Sequence, residues 1–489
     1  MKRTTLSLAA AVAVLAVIVG LATLTRPSSS RAADATPPKQ VPVERAEAVC
    51  PQVRTLDGAS TLYTAYSPGN GSATGGAAKL ANLGDKAERG KLDTPGRPGS
   101  VAIDGKEVPA VGWGTDGAFA PGFSAQATTR LGNGAGRGLA GVQCQAPGTD
   151  QWFVGTSTAD NREAYLYLSN STNVAAQVDV ELYGPDGPIA AEGVRGLTFT
   201  PGESQNIMLK PLAPNVPVVA VHVLARSGRI AAAVRDQQGI AGNDWLPQAA
   251  GSGRSFVVPG LPEDATNVRL TLFGASDTDT DVSIEVVGKA STFKPAGFES
   301  ALVKRGKVTE VDLGDITKGE ASALRLTAAR ADVLVGVRVT RGTGDTTDVA
   351  YLAATPELSG RAVMADNRAG GTLGTVVYLT APQGAAKVKL TSTAGAEPAT
   401  AEVDIPAGTT VGVPAPVPAG AAQFALTIEP AAGSGPVHAA RMVAEQMDKV
   451  PMFTVQGATA ARDTVALPTV SGDMSIMVPE EKPESPKKK

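Results

Sequence analysis

The sequence predicts an all-β protein, built from tandem immunoglobulin-like β-sandwich modules behind one N-terminal apolar segment. Three observations predict it. Short runs alternate apolar and polar residues with period two, as in QVDVELYG (Gln177 to Gly184). Turn residues interrupt those runs constantly, with 55 Gly and 35 Pro in 489 residues. Finally, matching landmarks recur about every 104 residues: Gly202, Gly306 and Gly408 are 104 and 102 apart, and Val178, Val282 and Val388 are 104 and 106 apart.

The N-terminus comes first. Lys2 and Arg3 precede Leu6 to Leu24, an uncharged and mostly apolar run. Its length is near the ~20 residues that span a bilayer and exceeds the ~7–15 of a typical signal core. Residues 1–25 are therefore expected to be a membrane anchor, with a cleaved signal peptide as the alternative. Ala33-Asp34-Ala35 is a small-x-small sequence of the kind a signal peptidase cuts, although it lies far from the apolar run. The basic start places the N-terminus inside and the bulk outside. Residues 26–47 are rich in Pro, Ser, Ala and charge and read as a disordered stalk.

Cys50 and Cys144 are the only cysteines. In an exported chain an isolated pair is expected to be oxidised. A bridge closing so long a loop stabilises by about 4 kcal/mol on the chain-entropy estimate.

The folded part divides into a divergent β-module at 48–150 and three sandwiches at 151–253, 254–358 and 359–471. A charged tail follows at 472–489. In the second module AYLYLSN (Ala164 to Asn170) and QVDVELYG alternate, and Pro201-Gly202 turns one strand into the next. The same landmarks return as VRLTLFG and DVSIEVVG in the third module and as TVVYLT and KVKLTS in the fourth. Val178, Val180 and Leu182 should face a core, with Asp179 and Glu181 facing solvent. Each module is expected to close on a hairpin: Phe123 to Gln145, Val216 to Gln238, Asp332 to Thr355 and Pro436 to Gln456. A fifth opening, VALPTV (Val465 to Val470), adds an edge strand to the last module or closes a ring with the first. A row of separate modules on a stalk is the expectation. A β-propeller-like ring, with two blades per period, is the alternative.

GLAGVQCQAPGTDQWFVG (Gly138 to Gly155), YLYLSNST (Tyr165 to Thr172) and VELYGPDG (Val180 to Gly187) carry a resemblance. The chain resembles an actinobacterial family of secreted or membrane-anchored cell-envelope proteins of unknown function. The resemblance implies an envelope location and a neighbourhood of glycan-assembly proteins. It implies no catalytic residue and no cofactor.

Chemistry is sparse. With two histidines and two cysteines, the usual triads and transition-metal sites have few members. His222 aligns with Arg338 and Arg441 in the expected hairpins, so its position reads as an exposed basic site. Asp277, Asp279 and Asp281 have the spacing of hard calcium ligands, yet the EF-hand glycine and distal Glu are missing and a solvated Asp/Thr turn is the better reading. The loops Gly69 to Gly76 and Gly132 to Gly138 lack the strand-to-helix setting of a phosphate cradle. Trp113 and Trp152 are the candidate interaction residues, at the first module and its junction with the second. The net charge of −3 gives no field for nucleic acid. The expected function is a non-enzymatic structural or interaction protein outside the cytoplasmic membrane. Its partner is an envelope protein or cell-wall glycan. The alternative is an accessory binding protein for envelope glycan assembly or transport.

Overall fold

A computed structural model describes residues 39–54, 58–69, 75–395 and 397–467. The expected anchor or signal segment, residues 26–38 of the stalk and the charged tail lie outside the described residues. Among those described, no helix is long and apolar enough to cross a membrane. Helix is limited to three single 3-10 turns, at Gly117–Phe119, Gly239–Ala241 and Gly344–Thr346. The all-β expectation holds.

The chain forms two units. The described part of one is a two-stranded antiparallel ribbon, Lys39–Pro42 with Thr464–Leu467. Residues 39–42 were expected in the stalk, and Val465 to Leu467 in an edge or ring-closing strand. Instead the two segments pair with each other. The other unit, Val43–Asp463, holds all four copies of the repeat.

Each copy contributes two antiparallel sheets with the same order. In the second copy one sheet runs Asp150–Thr156, Val219–Ser227, Ala176–Gly184, Gly187–Ile189. The other runs Asn243–Leu246, Ala231–Gln237, Glu163–Ser169, Ser204–Met208. The period-two pattern explains why they face each other. Phe153, Val178, Val180 and Val221 from the first sheet share a buried cluster with Leu166, Leu168, Val234 and Leu246 from the second. No sheet closes on itself. The first copy has the same strand order despite its divergent sequence.

The closing hairpin needs one correction. In copies one, three and four it is a true hairpin, for example His438–Met447 with Val450–Gly457. In copy two the turn at Ser227-Gly228 instead carries the chain from one sheet to the other. The hairpin there is Ala231–Gln237 with Asn243–Leu246. Both strands flanking the turn are apolar and alternating, so pattern alone could not separate a hairpin from a crossover.

The outer faces are not solvated as alternation suggested. Asp179, expected in solvent, is buried, where it accepts from Arg226 Nε at 2.5 Å and Gly196 N at 2.7 Å. Arg226 and the backbone at Gly196, both of the same copy, cover it. Elsewhere the outer faces are covered because the copies pack against one another. Tyr167, Ala233 and Trp245 of copy two join the core of copy one. Val154 and Ala220 of copy two pack on Phe273, Val308 and Leu334 of copy three. Tyr378, Met442, Phe453 and Val455 of copy four enter the core of copy three. Tyr66 of copy one meets Val363, Ala365 and Ala425 of copy four.

That last contact contradicts an extended row, whose ends stay apart. Polar bonds reinforce it. Thr128 donates to Asp366 at 2.6 Å, and Arg130 forms a bidentate pair with Glu445 at 2.6 and 2.7 Å.

Candidate functional site

The four closing strands, Gly138–Gln143, Asn243–Leu246, Asp348–Leu352 and Val450–Gly457, meet one another. Their bonds cross between copies. Asp244 of copy two accepts from Gly141 N of copy one at 2.9 Å and from Thr454 Oγ1 of copy four at 3.0 Å. Asp348 of copy three accepts from Phe453 N of copy four at 2.8 Å. Gly141 is required here. A Cβ at that position would stand 2.4 Å from Gln456 Nε2 and 2.7 Å from Thr454 Oγ1.

Burial pushes the Asp244 carboxyl well above its ordinary value, against the backbone N–H groups of Trp245 and Gly141. Burial does the same to Asp348, and the neighbouring Asp244 adds to it. Both carboxyls are therefore held toward the protonated form.

Beside this polar knot lies a pocket of about 120 Å³. Its walls come from all four copies. Gln143 and Gln145 belong to copy one, Tyr167, Trp245 and Gln248 to copy two, Thr355 to copy three, and Gln456 and Thr459 to copy four. Its lining holds no Asp, Glu, Lys, Arg or His. Gln456 is buried, and its Nε2 donates to Thr454 Oγ1 at 2.7 Å. Its Oε1 has no hydrogen-bond partner among the described residues. The sequence did carry a signal for this site. Val142-Gln143 and Val455-Gln456 repeat one dipeptide in the closing strands of copies one and four.

The residues singled out from sequence fall elsewhere. Cys50 and Cys144 are disulfide-bonded inside copy one. Trp113 is buried in the same core, 6.1 Å from the Phe123 ring. Trp152 sits at the junction of copies two and three, stacked on His222 at 3.9 Å and on Phe273 at 5.0 Å. The two tryptophans therefore do not converge. The buried aromatic residues that copy two brings to its junction with copy one are Tyr167 and Trp245. Trp152 also lines an open cleft of about 720 Å³ with Tyr183, Phe273, Asp277 and Arg305. His222 and Phe273 stack against the indole there, so it offers no free platform for a ligand.

His222 is not an exposed basic group. Its side chain is 11% exposed, with Nε2 3.0 Å from Asp150 and Nδ1 3.3 Å from Glu181. Burial pushes the Glu181 carboxyl up, but hydrogen bonds from Tyr183 and His222 outweigh it and hold the group below its ordinary value. The register also corrects the expected alignment. His222 lies opposite Trp152 and Glu181. In copy three the residue opposite Val257 and Glu285 is Arg325, whose Nε donates to Glu285 at 2.7 Å. Arg325 is the counterpart of His222. Arg338 and Arg441 stand on the other sheet of their copies.

Arg441 is fully buried, and none of its three guanidinium nitrogens has a hydrogen-bond partner among the described residues. Burial pulls its pKa down to about 10. His438 Nδ1 donates to Thr355 O at 2.9 Å, and burial lowers its pKa. Asp279 accepts from Arg305 N at 2.9 Å. Among the described residues, Asp277, Asp279 and Asp281 form no metal-binding cluster, and neither does any other group of His, Cys, Asp or Glu.

Residues 101–416, more than half of the chain, match DUF5719, a family of unknown function, and the chain belongs to that family. No curated protein matches it at a significant level.

Proposed function

We propose that this is a non-enzymatic interaction protein of the cell envelope, displayed outside the cytoplasmic membrane, which captures its partner at the pocket where the four copies meet. One observation carries the reading: each copy contributes to a single pocket whose lining offers amides, hydroxyls and aromatic rings. Such a lining favours recognition, since a concave site with a few placed polar groups is a binding site. None of its side chains titrates near neutral pH, so the lining itself supplies no general acid or base. The disulfide supports an oxidising compartment. The apolar run behind Lys2 and Arg3 supports anchorage with the bulk outside, or secretion after cleavage. The partner is an envelope protein or cell-wall glycan.

The finer architecture belongs to the same reading. Each copy's facing sheets are sandwich-like, and the cyclic contacts support a propeller-like ring with two blades per copy. An accessory role in glycan assembly or transport is the second reading, favoured by the uncharged lining.

The test is a membrane-impermeant crosslinker applied to intact cells. The reading expects labelled protein in the membrane or medium, with a recurring envelope partner attached. Protein that the reagent reaches only after lysis overturns it.

A further inference from the structure

We infer that the pocket recognises an uncharged, hydroxyl-rich ring of monosaccharide size, gripped by glutamine carboxamides from three copies. The inference rests on reading this pocket as the recognition site. Four observations lead to it. The first is charge: no ionisable acid or base lines the pocket, so an ionic ligand would lose its hydration and gain no counter-charge. The second is the donor set. A carboxamide both donates and accepts, which matches a hydroxyl that does the same. Gln143, Gln145, Gln248 and Gln456 all line this one space.

The third is unused bonding capacity. Gln456 Oε1 is buried and unpartnered among the described residues, because its Nε2 is committed to Thr454. A buried acceptor left without a donor is costly, and Oε1 has no surface open to the pocket, so the Gln456 side chain must turn for a ligand hydroxyl to relieve that penalty. The fourth is size. A pocket of 120 Å³ is close to the roughly 150 Å³ of an engineered cavity that holds benzene. It therefore takes one edge of a pyranose, which has about twice the heavy atoms of benzene, and leaves the rest of the ring outside, with Phe153, Tyr167 and Trp245 as the apolar wall. A charged sugar, a phosphate or a peptide terminus is disfavoured by the first observation.

Binding is measured on the full-length protein by calorimetry. The probes are the methyl pyranosides of glucose, galactose and mannose, the uronate corresponding to each, and an acetylated dipeptide amide. At least one neutral pyranoside is expected to bind, with its uronate weaker by about tenfold or more, the worth of roughly one good hydrogen bond. Gln248→Ala and Gln456→Leu should each weaken that binding by a similar factor. Gln248 is only half-buried, so its variant should keep the parent melting temperature and remain informative if Gln456→Leu fails to fold.

Three results overturn the inference: equal or tighter uronate binding, dipeptide binding with no pyranoside binding, and wild-type affinity in Gln248→Ala. Absence of any pyranoside binding overturns it as well. Capture of an envelope partner through the pocket without pyranoside binding would reject the ligand class and leave the recognition reading standing.

Discussion

Arg441 and Arg368 both act on one buried carboxylate, Asp366, and they answer to different physics. Asp366 is fully buried and bonded to Arg368 at 2.9 and 3.1 Å and to Thr128 at 2.6 Å. Burial pushes its carboxyl up, yet Arg368 outweighs burial and holds the group below its ordinary value. Arg441 adds a charge but no hydrogen bond. Replacing it should therefore be cheap: Arg441→Met is expected to change stability by less than about 1 kcal/mol, or to stabilise. Arg368→Met strands the carboxylate and should cost about 3–5 kcal/mol. Urea denaturation of the two variants separates them, and the reverse order would refute this account of the pair. At His222 the register predicts tolerance. His222→Arg reproduces the Arg325–Glu285 pair of copy three and should cost less than about 1.5 kcal/mol. A loss of several kcal/mol would show that the stack on Trp152 matters more than the pair with Glu181. Asp244 sets a pH dependence. Its folded carboxyl lies above the unfolded value, so above about pH 4 the unfolded chain is ionised while the folded one keeps its proton. Stability therefore falls as pH rises past that point, by up to about 1.4 kcal/mol per pH unit for one such group. Asp244→Asn should lessen the fall in stability as pH rises above about 4, with Asp348 supplying what remains. An unchanged slope would contradict it.

Strands and sheets divide the chain differently from the repeat that the sequence displays. Gly69 to Arg89 shows no clear strand pattern in the sequence. The described part of it contains Ala78–Asn82, a central strand of the first copy, and begins Glu88–Leu92. Leu80 belongs to the core that Tyr167 and Trp245 of copy two enter. Deleting 78–92 should therefore lower the melting temperature of the whole Val43–Asp463 unit in one cooperative transition. A second transition at the parental temperature would show that the copies fold independently. Much of the fold was legible. The alternation in QVDVELYG placed Val178, Val180 and Leu182 in the core, and the glycine period marked real copies. The second face of each sheet was not legible. A polar residue in solvent gives the same pattern as one that faces another copy, or as Asp179, which is buried beside Arg226 and Gly196 of its own copy. The hairpin was misplaced for a related reason. Val219–Ser227 and Ala231–Gln237 have the composition of a strand pair, and only the three-dimensional path reveals that they part to separate sheets. The glutamines of the pocket were hidden because each looks like an ordinary polar residue near a strand end. Only their convergence gives them meaning.

Taken as one body, Val43–Asp463 builds the pocket proposed for recognition from all four copies. Copy four touches copy one through Arg130–Glu445 and the Tyr66 cluster, and this closure brings the closing strands around one pocket. The connection between Thr292–Phe293 and Ser300–Val303 in copy three carries the exposed Phe298, which is not among the residues lining the pocket. The account assigns capture to the pocket and not to such outer positions. A photoreactive amino acid at position 248 or at position 298 of the full-length protein, irradiated in intact cells, tests this directly. The account predicts a discrete covalent adduct from position 248 and none from position 298. Adducts from position 298 with none from position 248 would contradict it.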